Sequence, residues 1–193
     1  MKKIIVMSTL MLGFLSFAQV REKGTTEIIP VIGSASSNYY GESNISNSPL
    51  PSVNIGVQGD YFYSSRWSLR SGLLFQKMGS QFPGFLKEEL NYISVPVNAN
   101  WHFGSTRKWN LNFGPTLGLL TSAKSNGVDV KSQLNGFQLG LQVGIGYKLQ
   151  LSEKFSILLD YQSMSGLSKV SKDSQNSLKN TYGSFDIGAV IKL

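Results

Sequence analysis

The sequence contains no cysteine, and His102 is the only histidine among its 193 residues. Disulfides, thiolate metal sites and clusters of several histidines are therefore excluded, and no cofactor is predicted. Charged residues make up only 15% of the chain, whose formal net charge is +7. The basic residues are scattered through expected loops and turns, which indicates solvated charge, so no nucleic-acid partner is predicted.

Beyond its first residues the chain has no run of the ~20 apolar residues that a transmembrane helix requires. The N-terminus instead resembles a signal peptide, with two lysines, an apolar run over residues 4–17, and Ser16 and Ala18 at the −3 and −1 positions. We expect cleavage after Ala18, so that residues 1–18 are the signal peptide and residues 19–193 the mature domain. An uncleaved membrane helix is the alternative.

The segment 135–149 is the clearest structural signal in the chain. Its even positions are Gly, Gln and one Lys, whereas its odd positions from 137 onward are apolar: Phe137, Leu139, Leu141, Val143, Ile145, Tyr147 and Leu149. A period of two indicates a β-strand with unlike faces. A soluble lipocalin-like barrel would point its large apolar residues inward and its polar residues outward. The Gly-rich polar face here instead favours the wall of a membrane barrel, with the apolar face toward lipid.

The same alternation predicts eight strands, at residues 25–36, 52–63, 67–78, 90–103, 109–122, 135–149, 155–164 and 181–193. Short turns at 64–66, 104–108 and 150–154 alternate with longer loops at 37–51, 79–89, 123–133 and 165–180. Short periplasmic turns and long outer loops are typical of outer-membrane barrels. We therefore predict an all-β, eight-stranded antiparallel up-and-down transmembrane β-barrel in the cell outer membrane of a Gram-negative bacterium.

Aromatic residues gather beside the short turns and include all three tryptophans. They are predicted to form an aromatic girdle at one membrane interface: Tyr63, Trp67, Trp101, Phe103, Trp109, Tyr147 and Phe155.

Three motifs in the middle of the chain carry a family resemblance. They are Tyr92-Ile93-Ser94-Val95-Pro96-Val97, then Trp101-His102-Phe103-Gly104, then Asn112-Phe113-Gly114-Pro115-Thr116-Leu117-Gly118. The chain resembles the PorT-like outer-membrane β-barrel domain family of Bacteroidota, whose members often show Y-[IL]-x-[IV]-P, a strand ending in F-G, and G-P-x-x-G. The resemblance implies a barrel architecture and no particular activity, although the family takes its name from a component linked to protein secretion and gliding.

Several charged residues fall on the inward faces of the predicted strands. Eight strands enclose only enough room for side chains, so we expect these charges to pair and fill the lumen. Asp60 is expected to pair with Arg70, Asp160 with Lys148, and, more loosely, Asp186 with Lys192. A narrow polar path or a proton-linked site is the alternative. The predicted lumen charges are Asp60, Arg70, His102, Lys148, Asp160, Asp186 and Lys192.

These features favour a structural or interaction barrel whose Ser-, Asn- and Lys-rich exterior loops meet a protein or surface partner. The alternative is an accessory component of outer-membrane transport or protein secretion, or a narrow pore. A hydrolytic enzyme using His102 and Asp60 lacks the spacing that converging catalytic groups need, so no enzyme and no metal site is predicted. Outer-membrane lipid and the barrel assembly machinery are the other expected partners.

Overall fold

The computed structural model describes residues 21–41, 46–84, 86–173 and 177–193. The predicted signal peptide, residues 1–18, lies outside these ranges. A short strand, β6 (Val128–Asp129), and a 3₁₀ helix (Lys131–Gln133) lie between β5 and β7. Among the described residues, no helix is long and apolar enough to cross a membrane. The long strands are β1 (Thr26–Tyr40), β2 (Ser48–Phe62), β3 (Trp67–Phe82), β4 (Leu86–Phe103), β5 (Trp109–Ser125), β7 (Phe137–Gln150), β8 (Phe155–Gly166) and β9 (Lys179–Lys192).

The eight long strands close into an antiparallel barrel. Each strand pairs with its neighbours in the chain, β5 pairs with β7, and β1 pairs with β9 to close the circle. The fold predicted from the sequence is therefore confirmed. Closure gives every long strand a hydrogen-bonding partner on both sides, which a strand crossing hydrocarbon requires.

The two faces of the wall differ as the alternation predicts. Buried polar side chains, mainly Asn, Gln and Ser, line the interior. The outer face carries exposed apolar side chains at the middle of every long strand, among them Ile32, Ile55, Phe75, Ile93, Phe113, Leu141, Val143, Leu159 and Ile187.

The strands continue further on the loop side than the sequence indicated. The predicted loop 79–89 is wrong, because β3 ends at Phe82 and β4 begins at Leu86. The predicted loop 37–51 likewise shrinks, since β1 extends to Tyr40 and β2 starts at Ser48. Above the bilayer water can solvate both faces of a strand, so the apolar alternation stops while backbone pairing continues.

The motifs behind the family resemblance shape one part of the β4–β5 wall. The two strands pair as far as Pro96 with Thr116, and the pairing resumes at Ala99 with Phe113. Proline has no N–H to donate to a ladder. In this interruption Gly114 lies against β4, and a Cβ there would be 2.2 Å from the Val97 carbonyl oxygen. The motif residues thus fix how closely two strands approach.

We predict that Val143→Arg weakens folding into a bilayer by about 2–4 kcal/mol, because Val143 points outward at mid-strand. The matched control is Val128→Arg in β6, which is exposed on the loop side and should change stability by less than about 0.5 kcal/mol. Urea titrations of folding into lipid vesicles measure both values. Equal tolerance of the two changes would show that the outer face does not meet lipid at this depth.

Candidate functional site

A chain of six buried charges crosses the interior of the barrel near the short-turn end. Arg21 Nε lies 2.6 Å from Glu27 Oε1, and the other oxygen of Glu27 contacts Lys148 Nζ. Lys148 Nζ lies 3.0 Å from Asp60 Oδ2. The chain continues from Asp60 to Arg70 and ends at Asp160. All six side chains are at most 2% exposed.

Arg70 connects two carboxylates. Its Nε and Nη2 atoms each lie 3.0 Å from an oxygen of Asp60, which is the two-pronged geometry that guanidinium and carboxylate groups favour. Its Nη1 atom lies 3.1 Å from Asp160 Oδ2. Asp60 faces Arg70 directly in the β2–β3 register, so the pair expected from the sequence forms.

The remaining contacts cross the lumen between opposite walls. Glu27, Asp60 and Arg70 form one lateral row on β1, β2 and β3. Lys148 on β7 and Asp160 on β8 reach this row from the other side of the barrel. The predicted Lys148–Asp160 pair is wrong. The two residues are diagonal neighbours in the β7–β8 register, but Lys148 pairs with Glu27 and Asp60, and Asp160 pairs with Arg70.

Two glycines on the inner face of β7 make room for this network. A Cβ at Gly146 would lie 2.5 Å from Asp160 Oδ1, and a Cβ at Gly144 would overlap the Gln162 amide. Gln162 in turn donates to Asp160 Oδ2 at 2.6 Å. The glycine-rich face of 135–149 thus provides the space that side chains of β8 occupy. Asn100 adds donors to both Asp60 oxygens at 3.3 and 3.2 Å.

His102 lies below the charge chain and is fully buried. Its Nε2 atom is 3.0 Å from Ser68 Oγ, and its ring centroid is 4.7 Å from that of Phe62. The guanidinium of Arg21 and the amine of Lys148 lie 5.2 and 5.5 Å from the Phe62 ring centroid. A buried aromatic ring therefore closes the lower side of the charge chain and attracts both cations.

The last two predicted lumen charges stand apart from the chain. Asp186 accepts hydrogen bonds from Asn54 Nδ2 at 3.0 Å and from Ser184 Oγ at 2.8 Å. Lys192 is partly exposed at the end of β9. Six residues of extended strand separate Asp186 from Lys192 by about 20 Å, so the pairing expected between them is wrong.

An apolar cluster, here called the outer cap, fills the interior at the loop end. Val130 and Leu134 from one loop and Val170 from another pack with residues of the strands. At its edge the Tyr39 hydroxyl donates to Glu88 Oε2 at 2.8 Å. The buried strand residues of the outer cap are Ala35, Tyr39, Met78, Leu90, Tyr92, Leu120, Ala123, Met164 and Tyr182.

Five of the predicted girdle residues form a continuous row of rings. Ring centroids are 6.2 Å apart from Trp67 to Trp101, 5.0 Å on to Phe103, 6.4 Å to Trp109 and 4.9 Å to Tyr147. Tyr63 and Phe155 are exposed beside the short turns at 64–66 and 150–154. Such a row at one end of the wall is the arrangement that an interfacial girdle requires.

Sequence reasoning missed Arg21 and Glu27. Glu27 shares the inward face of β1 with Ile29 and Val31, so alternation along β1 was a usable signal for it. Arg21 precedes the first strand, where no periodic pattern exists to place it. Within the described part of the chain, no group of acidic or histidine side chains has the arrangement of a metal site.

Comparison with known proteins identifies the class of this barrel. The chain belongs to the outer membrane protein beta-barrel domain family, whose model matches residues 17–172. The family confirms the predicted location in the outer membrane of a Gram-negative bacterium. No protein of curated function matches the sequence significantly.

Solved structures agree with the fold. The crystal structure of OprG from Pseudomonas aeruginosa superposes with a TM-score of 0.57 at 13% identity, covering 89% of this chain and 97% of that one. Neisserial surface protein A gives 0.55 at 15% identity, with 87% and 97% covered. The outer membrane protein AlkL, solved in lipid bilayers, gives 0.55 at 10% identity, with 89% and 91% covered. At such low identity these likenesses show the fold alone.

We predict that Arg70→Met lowers the free energy of unfolding by about 3–5 kcal/mol, because it leaves the buried carboxylate of Asp160 without a cation and that of Asp60 with Lys148 alone. The matched control is Lys77→Met, which removes an ion pair with Glu89 at a partly exposed position and should cost at most about 1 kcal/mol. Equilibrium urea unfolding in vesicles compares them. If the two variants unfolded at the same midpoint, the charge chain would not stabilise the barrel.

Proposed function

We propose that this protein is a membrane anchor that presents its extracellular loops to a protein or surface partner, with a lumen closed by its own side chains. The observation that carries the proposal is the chain of six buried charges. Three cations and three carboxylates alternate across the lumen from Arg21 to Asp160. An ion entering this network must displace one of its members from a paired position, which is costly in a buried site.

The outer cap supports the same reading from the other end of the barrel. Tyr92, Met78 and Leu90 are each at most 1% exposed and fill the interior where a pore would need a mouth. Val170 brings a loop over them. Closure by charge at one end and by apolar packing at the other favours an anchor over a channel.

Two extracellular loops are joined into one surface, here called the fused loop surface, formed by residues 126–136 and 167–173. Asn135 Nδ2 donates to the carbonyl oxygens of Lys169 at 3.0 Å and Ser171 at 2.9 Å. Lys172 Nζ donates to the Ser132 carbonyl oxygen at 2.8 Å. A preorganised polar surface loses less entropy on binding than two separate loops would, so we propose it as the partner-facing region.

The PorT-like resemblance favours a second candidate, an accessory role in outer-membrane transport or protein secretion. Its basis is the motif around Pro96 and Pro115, which lies in the wall of β4 and β5. In either role we expect the signal peptide and the barrel assembly machinery to deliver the chain to the outer membrane. The aromatic row then lies at the periplasmic interface. No enzymatic activity is expected. Co-purification with secretion components after crosslinking would distinguish this candidate from a simple anchor.

We predict that the purified barrel produces no stable conductance in planar bilayers, because paired and buried charged side chains occupy the narrow lumen. A porin in the same membranes provides the positive control. Reproducible ion-selective steps, with Arg70→Ala changing selectivity and leaving stability unchanged, would overturn the closed lumen and favour the narrow pore.

We also predict that Asn135→Ala loosens the fused loop surface, because it removes two of the bonds that join the loops, and speeds trypsin cleavage after Lys169 and Lys172. The matched control is Asn47→Ala, which removes an amide donor to the Tyr39 carbonyl oxygen near another loop. Cleavage rates on intact vesicles give the comparison. Faster cleavage in both variants, or in neither, would contradict a specific link through Asn135.

A further inference from the structure

We propose that the outer face of β3, β4 and β5, at the extracellular edge of the apolar belt, binds the phosphate groups of an outer-leaflet lipid. Four lysines gather there with two carboxylates, those of Glu89 and Asp129. They form what is called here the cationic patch: Lys77, Lys87, Lys124 and Lys131, with Glu89 at its centre.

The geometry of the patch leaves an excess of positive charge. One carboxylate oxygen of Glu89 lies 3.1 Å from Lys77 Nζ, and the other lies 3.3 Å from Lys87 Nζ. Lys124 stands opposite Glu89 in the β4–β5 register. Lys131 extends its amine down the outside of β5 to the Thr121 carbonyl oxygen at 3.0 Å. Asp129 stands opposite Lys124 in the β5–β6 register and accepts the Lys131 N–H at 2.9 Å. Four amines against two carboxylates leave an excess of positive charge, which suits a ligand with more than one negative charge.

The patch lies at the height of a lipid headgroup. Lys77 follows Trp67 by ten residues on β3, and Trp67 belongs to the aromatic row at the opposite interface. Ten residues of a strand tilted by about 45° rise about 23 Å, close to the apolar band of about 25 Å in outer-membrane barrels. The amine of Lys77 therefore reaches the outer headgroup layer.

The side chains immediately below the patch are apolar and exposed. Phe75 lies two residues before Lys77 and therefore on the same outer face of β3. It pairs with Ile93 on β4, which in turn pairs with Leu119 on β5. These three side chains are 46%, 43% and 60% exposed. A surface that is apolar below and cationic above matches a lipid, whose acyl chains and phosphates have the same order along the membrane normal.

The opposite side of the barrel lacks this pattern. On β1, β8 and β9 most outward positions above the apolar belt are small and uncharged: Ser34, Ser36, Ser163, Ser165, Gly183 and Thr181. Lys179, which pairs with Tyr40 where β9 begins and β1 ends, is the one charged residue among the outward positions of these strands. The positive charge is therefore concentrated on one side of the wall. A soluble partner would meet the fused loop surface first, whereas a lipid lies beside the cationic patch at all times.

The test measures lipid binding by native mass spectrometry of the intact barrel in detergent, with bisphosphorylated lipid A and its dephosphorylated form as probes. The variant is Lys77→Gln combined with Lys124→Gln. The matched control is Lys23→Gln combined with Lys154→Gln, which removes the same charge from exposed positions at the periplasmic end. Heat-dependent migration on a gel verifies that each variant is folded.

We expect the patch variant to bind bisphosphorylated lipid A roughly twentyfold more weakly, since each basic residue near an anionic surface contributes about a fivefold factor. The control should bind like the wild type, and the dephosphorylated probe should not distinguish the proteins. An equal loss of affinity for bisphosphorylated lipid A in both variants would show that binding depends only on the net charge of the protein. That result, or equal binding of the two lipids by the wild type, would overturn the proposal.

Discussion

Backbone N–H and C=O groups in hydrocarbon have no water to bind, and the structure depends on satisfying them within the wall. Pairing of β1 with β9 achieves this, since it gives the first and last strands partners on both sides. Once the wall closes, each strand must direct alternate side chains to lipid and to a narrow interior. The apolar exterior and the polar lumen both follow from that one requirement.

A narrow interior then constrains what the polar side chains do. Charges withdrawn from water are tolerated when each one has partners, and the lumen meets this condition with three cations and three carboxylates in alternation. Space is the other limit. Gly144 and Gly146 leave β7 without side chains where Gln162 and Asp160 enter the lumen, so a locally weak strand sequence serves the packing of the whole barrel.

The extracellular half of the barrel is built differently because it extends beyond the bilayer into water. Strands β3 and β4 keep pairing up to Phe82 and Leu86 although their outer faces have become polar. Apolar side chains move inward to form the outer cap, and the loops fold over it through Val170 and Leu134. Residues such as Lys77 and Glu89, expected near a loop, instead stand at fixed positions on the wall.

The number of long strands, the two faces of each and the membrane location could all be predicted from the sequence. A period of two and the spacing of turns are local properties that a chain carries before it folds. The adjacent pair Asp60 and Arg70 was also within reach, since one short turn sets their register. The contacts of Lys148 with Glu27, of Arg70 with Asp160 and of Arg21 with Glu27 could not be predicted in this way. Those contacts cross the lumen, and the stagger of a closed barrel, which no single strand encodes, sets which side chains share a height.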